Sequence, residues 1–180
     1  MASWRRFFSR SALDRGRRGL RRTTNRLIGL QRMVLVPLLD PEYTRHALDL
    51  ACRLAAERGS RVLLLAPLYV EWELPLDAHF KQEEAALRAE LDRERAIAES
   101  YGVGAHGQIV RTRPGELGRG VAEAAVEVRA SLIVVGAPVE SQRGFRRPFS
   151  RDVWSVLNDA PCPVLIATGA PQRASRAAVA

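Results

Sequence analysis

The residue types that most often carry catalysis are few and scattered in this chain. The histidines, His46, His79 and His106, lie too far apart in sequence to give a local metal-ligand spacing. Cys52 and Cys162 form no CxxC pair, which favours two thiols in a reducing compartment over one disulfide. The chain also contains no GxSxG, HExxH or Walker A motif. The sequence therefore predicts neither a catalytic site nor a metal site.

One segment does combine positive charge with the start of a helix. Ser150 precedes a helical pattern over residues 152–158, where it is expected to act as the N-cap. The free N–H groups and the positive end of the dipole make such a helix terminus a suitable anion site. Four arginines could add charge there: Arg143, Arg146, Arg147 and Arg151. A solvated loop explains the same arginines equally well, and both interpretations stay open.

Short apolar runs alternate with helical patterns and would position these residues. The runs that predict strands are 33–38, 61–68, 106–111, 131–136 and 163–168. The helical patterns between them follow Asp40, cover 78–101, start at Pro114 and cover 152–158. This alternation predicts an α/β protein with a five-stranded, mostly parallel sheet covered on both faces.

The first two predicted helices are marked by capping residues and by an apolar face. Asp40 before Pro41 is typical of an N-cap followed by the first helical residue, and Gly59 is expected to end that helix. The N-cap role explains Asp40 without a ligand, although this carboxylate could instead contact an adenine or a ribose. In the second helix the inward-facing residues are predicted to be Phe80, Leu87, Leu91 and Ala98.

Three apolar strings mark the first, fourth and fifth strands: VLVP at 34–37, SLIVVG at 131–136 and DAPCPVLI at 159–166. In this order and at these separations they resemble the universal stress protein family over residues 32–168. The resemblance implies a doubly wound, adenine-nucleotide α-hydrolase-like or Rossmann-like sheet of strand order 3-2-1-4-5. It also implies a homodimer formed through the last strand.

The same resemblance points to a nucleotide site. ATP-binding members carry a pattern like VPxDGS at the first strand, of which this chain keeps Pro37. Leu39 stands at the aspartate position, with Asp40 one residue late. After the fourth strand those members carry GxxG, nine residues and then G-S/T. Gly136 and Ser150 match the two ends of that pattern.

Val139 and Phe149 replace the other two glycines of this loop. Glycine in a phosphate loop permits positive φ and lets backbone N–H groups approach the phosphate oxygens. A valine in the left-handed region is strained, and a phenyl ring at 149 would sit near the phosphates. The resemblance thus implies a degenerate site. ATP binding in the family manner is disfavoured and no cofactor is assigned, while weak ATP or anion binding through Arg151 and the loop arginines stays open.

Positive charge is concentrated before the first strand. Residues 1–32 hold ten of the 28 basic residues and one of the 20 acidic residues, so the remainder is close to neutral. Trp4, Phe7 and Phe8 share one side of a helical wheel, as in an interfacial helix on an anionic membrane or an acidic partner. A disordered basic arm is the alternative. Sequence-specific nucleic-acid binding is not expected, because only the extension is basic.

The chain is therefore predicted to have three regions: a basic extension at 1–31, a universal-stress-protein-like domain at 32–168 and a disordered tail at 169–180. No apolar run suits a membrane span or a secretory signal, which predicts a cytoplasmic protein, peripheral at a membrane if the extension binds one. The predicted function is a non-catalytic regulatory or binding domain of the stress response. The alternatives are a membrane-tethered regulatory module serving a transporter, a weak ATP- or anion-binding stress protein, and a nucleotide-processing enzyme.

Overall fold

The computed structural model describes residues 33–138 and 149–168. Within them strands and helices alternate: β1 Met33–Pro37, α1 Pro41–Arg58, β2 Arg61–Tyr69, α2 Lys81–Ser100, β3 Ala105–Thr112, α3 Leu117–Glu127, β4 Ala130–Gly136, α4 Arg151–Asp159 and β5 Val164–Ala167. The predicted regions 1–31 and 169–180 lie outside the described residues, as do Val139, Arg143, Arg146 and Arg147. Among the described helices, none is long and apolar enough to cross a membrane.

The strands form one parallel sheet in the order β3-β2-β1-β4-β5, which confirms the predicted order. In the β1–β2 pair Met33 lies opposite Arg61, whereas the β1–β4 register shifts between Met33 and Val34. From β1 the chain crosses to β2 on one side, and from β4 it crosses to β5 on the other. Open α/β sheets bind ligands where the strand order reverses in this way, so the carboxyl ends of β1 and β4 define a candidate crevice.

Both faces of the central strands are apolar because a helical layer covers each of them. Val34 and Leu64 pack with α1 and α2 on one face. Leu35, Leu63 and Ile133 pack with α3 and α4 on the other. Successive side chains of a strand point to opposite faces, so a strand buried on both sides must be apolar at every position. Burial of each such leucine stabilises the fold by about 2 kcal/mol.

The predicted helix caps are confirmed. Asp40 has extended backbone geometry and its Oδ1 accepts a hydrogen bond from the Glu42 N–H at 2.9 Å. Gly59, with φ of 60°, ends α1 in the left-handed conformation. The Ser150 hydroxyl oxygen accepts from the Val153 N–H at 3.4 Å and caps α4.

Two predicted helix starts were wrong. The helix predicted from residue 78 begins at Lys81, and Phe80 is its half-buried N-cap residue rather than part of the inward face. The carbonyl of Ala78 accepts a hydrogen bond from Arg111 at 2.6 Å, so it is already engaged outside the helix. Pro114 does not start α3 either, because Pro114 and Gly115 form a turn in which φ of Gly115 is 84°.

Candidate functional site

The end of β1, the start of α1 and the end of β4 come together at the crevice. Pro37, the last residue of β1, is buried, and the chain then passes through Asp40 into α1. The first turn of α1 lies directly against Gly136, the last residue of β4. The structure therefore brings Pro37, Asp40 and Gly136 to the same end of the sheet.

Gly136 is required at this place by the packing of α1. A Cβ atom on Gly136 would lie 2.2 Å from the carbonyl oxygen of Tyr43 and 2.9 Å from the backbone nitrogen of Thr44. Contacts that short do not occur between real Cβ atoms and backbone. The close approach that calls for a glycine is thus made by a helix backbone, and no ligand is needed to explain the residue.

Asp40 is likewise engaged by its own helix. Its carboxylate accepts from the Glu42 N–H, and its carbonyl oxygen accepts from the Thr44 N–H at 2.7 Å. The first bond satisfies an N–H group that a helix start leaves without a partner, and the second is the first bond of the helix itself. A ligand that bound the Asp40 carboxylate would compete with its hydrogen bond to the Glu42 N–H.

Phe149 and Ser150 lead into α4. The Phe149 ring is half-buried against the core beneath α3 and α4, and its centroid lies 6.5 Å from that of Trp154. The two ring planes are tilted by 57°, a favourable arrangement for an aromatic pair. Ser150 is exposed, with its hydroxyl at the N-cap. The aromatic residue at the glycine position therefore contributes to packing.

The charged residues of the first turn of α4 turn towards neighbouring elements. A Cβ atom on Gly115 would lie 2.5 Å from Nε of Arg151, so the arginine side chain runs across the turn before α3. The Asp152 carboxylate accepts a hydrogen bond from the Tyr69 hydroxyl at 2.6 Å. Tyr69 is the last residue of β2, so this bond ties the end of β2 to the start of α4.

Tyr69 was missed by the sequence reasoning. Burial of the phenol raises its pKa well above its usual range, and the hydrogen bond to Asp152 raises it further. The hydroxyl therefore remains protonated and donates to the carboxylate. A tyrosine at the carboxyl end of a buried strand is the signal that could have drawn attention to it.

The surroundings of the two cysteine thiols favour their protonated form. Burial raises the pKa of the Cys52 thiol to about 11 and raises that of Cys162, so neither is an activated thiolate. Residues 33–138 and 149–168 contain no group of three His, Cys, Asp or Glu side chains placed to hold a metal ion.

A second missed feature lies at the same edge of the sheet, in the β2–α2 loop, which comprises residues 70–80. Arg111 and Arg113 of the β3 end donate hydrogen bonds to carbonyl oxygens of this loop. Their spacing of two is the signal that could have revealed them, because alternate residues of a strand share one face. The pattern alone gives no partner for either side chain.

A doubly wound parallel sheet whose strand order reverses between β1 and β4 places this chain in the class of open α/β proteins. The sequence model of the universal stress protein family matches residues 32–168, and the chain belongs to that family. A search of curated protein sequences gives no significant match.

Solved universal stress proteins share the fold. One from Burkholderia pseudomallei is 26% identical, covers 77% of this chain and 97% of its own, and has a TM-score of 0.56. One from Archaeoglobus fulgidus, solved in complex with dAMP, is 19% identical, covers 76% and 97%, and has a TM-score of 0.57. A third, solved in complex with cAMP, is 22% identical, covers 77% and 97%, and has a TM-score of 0.58.

Proposed function

We propose that this chain is a non-catalytic regulatory domain that acts by binding, and that its crevice does not hold ATP in the manner of ATP-binding members of its family. The observation that carries the proposal is the position of Asp152. This carboxylate lies in the first turn of α4, held there by Tyr69. The start of a helix favours a negative charge, and the Asp152 carboxylate already provides one there. This carboxylate repels a phosphate that approaches the N–H groups of the same helix turn.

The residues that line the crevice support the same proposal. Asp40 caps α1, Gly136 makes room for the α1 backbone, and Phe149 packs against Trp154. Each of these three positions of the family pattern thus has a role in the fold of this chain. A nucleotide would have to displace protein contacts in order to bind there.

Weak adenine-nucleotide binding is the second candidate. Two solved relatives are described with dAMP and with cAMP, which makes adenine nucleotides the class of ligand to test. Ser150 is exposed and Arg151 supplies a guanidinium beside the start of α4. If the Arg151 side chain moved away from Gly115, its guanidinium could reach a phosphate at the start of α4.

Isothermal titration of the full chain with ATP distinguishes these candidates. We expect no measurable heat for the natural sequence and measurable binding for Asp152→Asn, which keeps the oxygen that accepts from Tyr69. The double variant Val139→Gly with Phe149→Gly retains Asp152 and is expected to give no measurable heat. Asp92→Asn is the matched control, because Asp92 lies on the exposed side of α2. Micromolar binding by the natural sequence would overturn the proposal, and phosphate release from ATP would overturn its non-catalytic part.

We further propose that the domain forms a homodimer through β5. This strand is an edge of the sheet, and Val164, Leu165 and Ile166 are only partly covered. An edge strand offers unpaired N–H and C=O groups to a second strand. Light scattering is expected to show a dimer that Leu165→Lys converts to a monomer. Gln108→Lys on the opposite edge strand is the control and should remain dimeric.

A further inference from the structure

The β2–α2 loop is fixed in place by Arg113. The guanidinium donates to the carbonyl oxygen of Leu74 at 2.7 Å and to that of Val70 at 3.3 Å, and it also bonds the carbonyl of Glu71. A single arginine side chain thus holds the backbone of the first part of the loop in place. The Leu74 N–H closes a turn by donating to the Glu71 carbonyl at 3.1 Å.

Arg111 fixes the second part of the loop. It donates to the carbonyl oxygens of Leu76 at 2.8 Å and of Ala78 at 2.6 Å. It also forms an ion pair with Glu84 in the first turn of α2. The loop therefore has a defined backbone, although it contains no helix or strand.

Three apolar side chains of this anchored loop are exposed to solvent. Trp72 is 62% exposed, Leu76 47% and Leu74 40%. They are three of the six large apolar side chains that are exposed in the described residues. One face of the Trp72 ring lies 5.5 Å from the Arg113 guanidinium, which supports the ring without covering it. An apolar surface that is anchored and still exposed is typical of an interaction site.

The charge of the loop indicates which partner it would accept. Glu71, Glu73 and Asp77 are all exposed, and no lysine or arginine occurs between residues 62 and 80. Among residues 33–138 and 149–168, no side chain forms an ion pair with these carboxylates. The guanidinium groups beneath the loop are bonded to its carbonyl oxygens. Anionic lipid and nucleic acid are repelled by such a surface, and a cationic polypeptide is attracted.

We propose that the β2–α2 loop is a docking site for a basic segment of a partner protein, in which an apolar side chain packs on Trp72 and arginine or lysine side chains pair with Glu71, Glu73 and Asp77. The arginine-bonded backbone lowers the conformational entropy that binding costs. Tryptophan is among the residues that most often dominate a binding interface. The stacking of a partner arginine on the free face of Trp72 adds a cation–π contact.

The test uses the full chain and a fluorescein-labelled peptide in which arginine alternates with leucine. Fluorescence anisotropy is expected to show saturable binding that weakens as the salt concentration rises. Trp72→Ala is expected to weaken it roughly tenfold or more. The triple variant Glu71→Gln, Glu73→Gln, Asp77→Asn should weaken it and flatten its salt dependence. A peptide with glutamine in place of arginine should bind more weakly.

Val126→Ala is the matched control, because Val126 is an exposed apolar residue on α3, away from the loop. It should leave the affinity unchanged. Equal affinities for Trp72→Ala and Val126→Ala would overturn the proposal, as would equal binding of the arginine and glutamine peptides. If Trp72→Ala instead converts a dimer of this chain into a monomer and the peptide does not bind, the loop is a self-association surface and the proposal is wrong.

Discussion

The crevice floor, where the end of β4 meets the start of α1, and the β2–α2 loop both lie at the carboxyl ends of the strands. Different interactions hold these two regions in place. At the crevice, Gly136 lets the backbone of α1 pack directly on the end of β4. In the loop, Arg111 and Arg113 hold carbonyl oxygens, and the apolar side chains remain exposed. Close packing buries the surface that it holds in place. Long polar side chains, in contrast, can hold a loop in place and leave its outer surface exposed to a partner. The crevice therefore contributes to stability, and the loop is the better-prepared binding surface.

The largest effect is expected at the crevice floor. Gly136→Ala should lower the free energy of unfolding by about 3 kcal/mol, because its Cβ would overlap the Tyr43 carbonyl and α1 would have to move. Urea denaturation measures the change. Gly59→Ala is the control: it has φ of 60° but no atom within 4 Å of the added Cβ, and should cost about 1 kcal/mol. Equal losses for the two variants would mean that packing does not fix the crevice floor.

A smaller and more local effect is expected for Arg113→Gln. The loss of its bonds to the loop carbonyls should cost about 1–2 kcal/mol, less than three charged bonds in isolation because water can replace them. Hydrogen exchange of the Leu74 amide should accelerate, while that of β1 remains slow. Arg53→Gln removes only an exposed ion pair on α1 and should change neither rate. A Leu74 amide that remains protected would show that the loop does not depend on Arg113.

The bond between Tyr69 and Asp152 ties the end of β2, which leads into the loop, to the start of α4, and its removal gives a pH-dependent effect. Tyr69→Phe should cost about 1 kcal/mol near neutral pH. Because folding raises the pKa of Tyr69, this residue stabilises the native state below the unfolded pKa of about 10, and that stability is lost as the pH rises towards the folded pKa. The variant should therefore lose less stability above about pH 10 than the natural chain does. Parallel stability curves from pH 8 to 11 would contradict this reading.

The smallest effect on stability is expected at the most exposed side chain of the loop. Trp72→Ala should change the free energy of unfolding by about 0.5 kcal/mol or less, because most of the indole surface is already exposed to solvent in the folded state. Thermal unfolding measures it, beside the large loss expected for Gly136→Ala. A loss of several kcal/mol would mean that Trp72 supports the fold and is not available to a partner.

Much of the fold could be predicted from short-range patterns in the sequence. The alternation of apolar runs with helical periods predicted the parallel sheet, and Asp40, Gly59 and Ser150 predicted three helix ends correctly. These signals succeed because a cap bonds a backbone group only two to five residues away. The prediction that helix α2 starts at residue 78 failed because Ala78 is engaged by Arg111, which lies 33 residues away in sequence.

The sequence by itself determined the class of fold and, through the family resemblance, the strand order. Its assignment of Pro37, Asp40 and Gly136 to a degenerate nucleotide site stays a prediction. Only the tertiary structure decided what the residues at that place do. Gly136 faces Tyr43, Arg151 lies on Gly115, and Tyr69 bonds Asp152 83 residues later. Such partners are brought together by the packing of the sheet and its helices, so no local spacing in the chain records them.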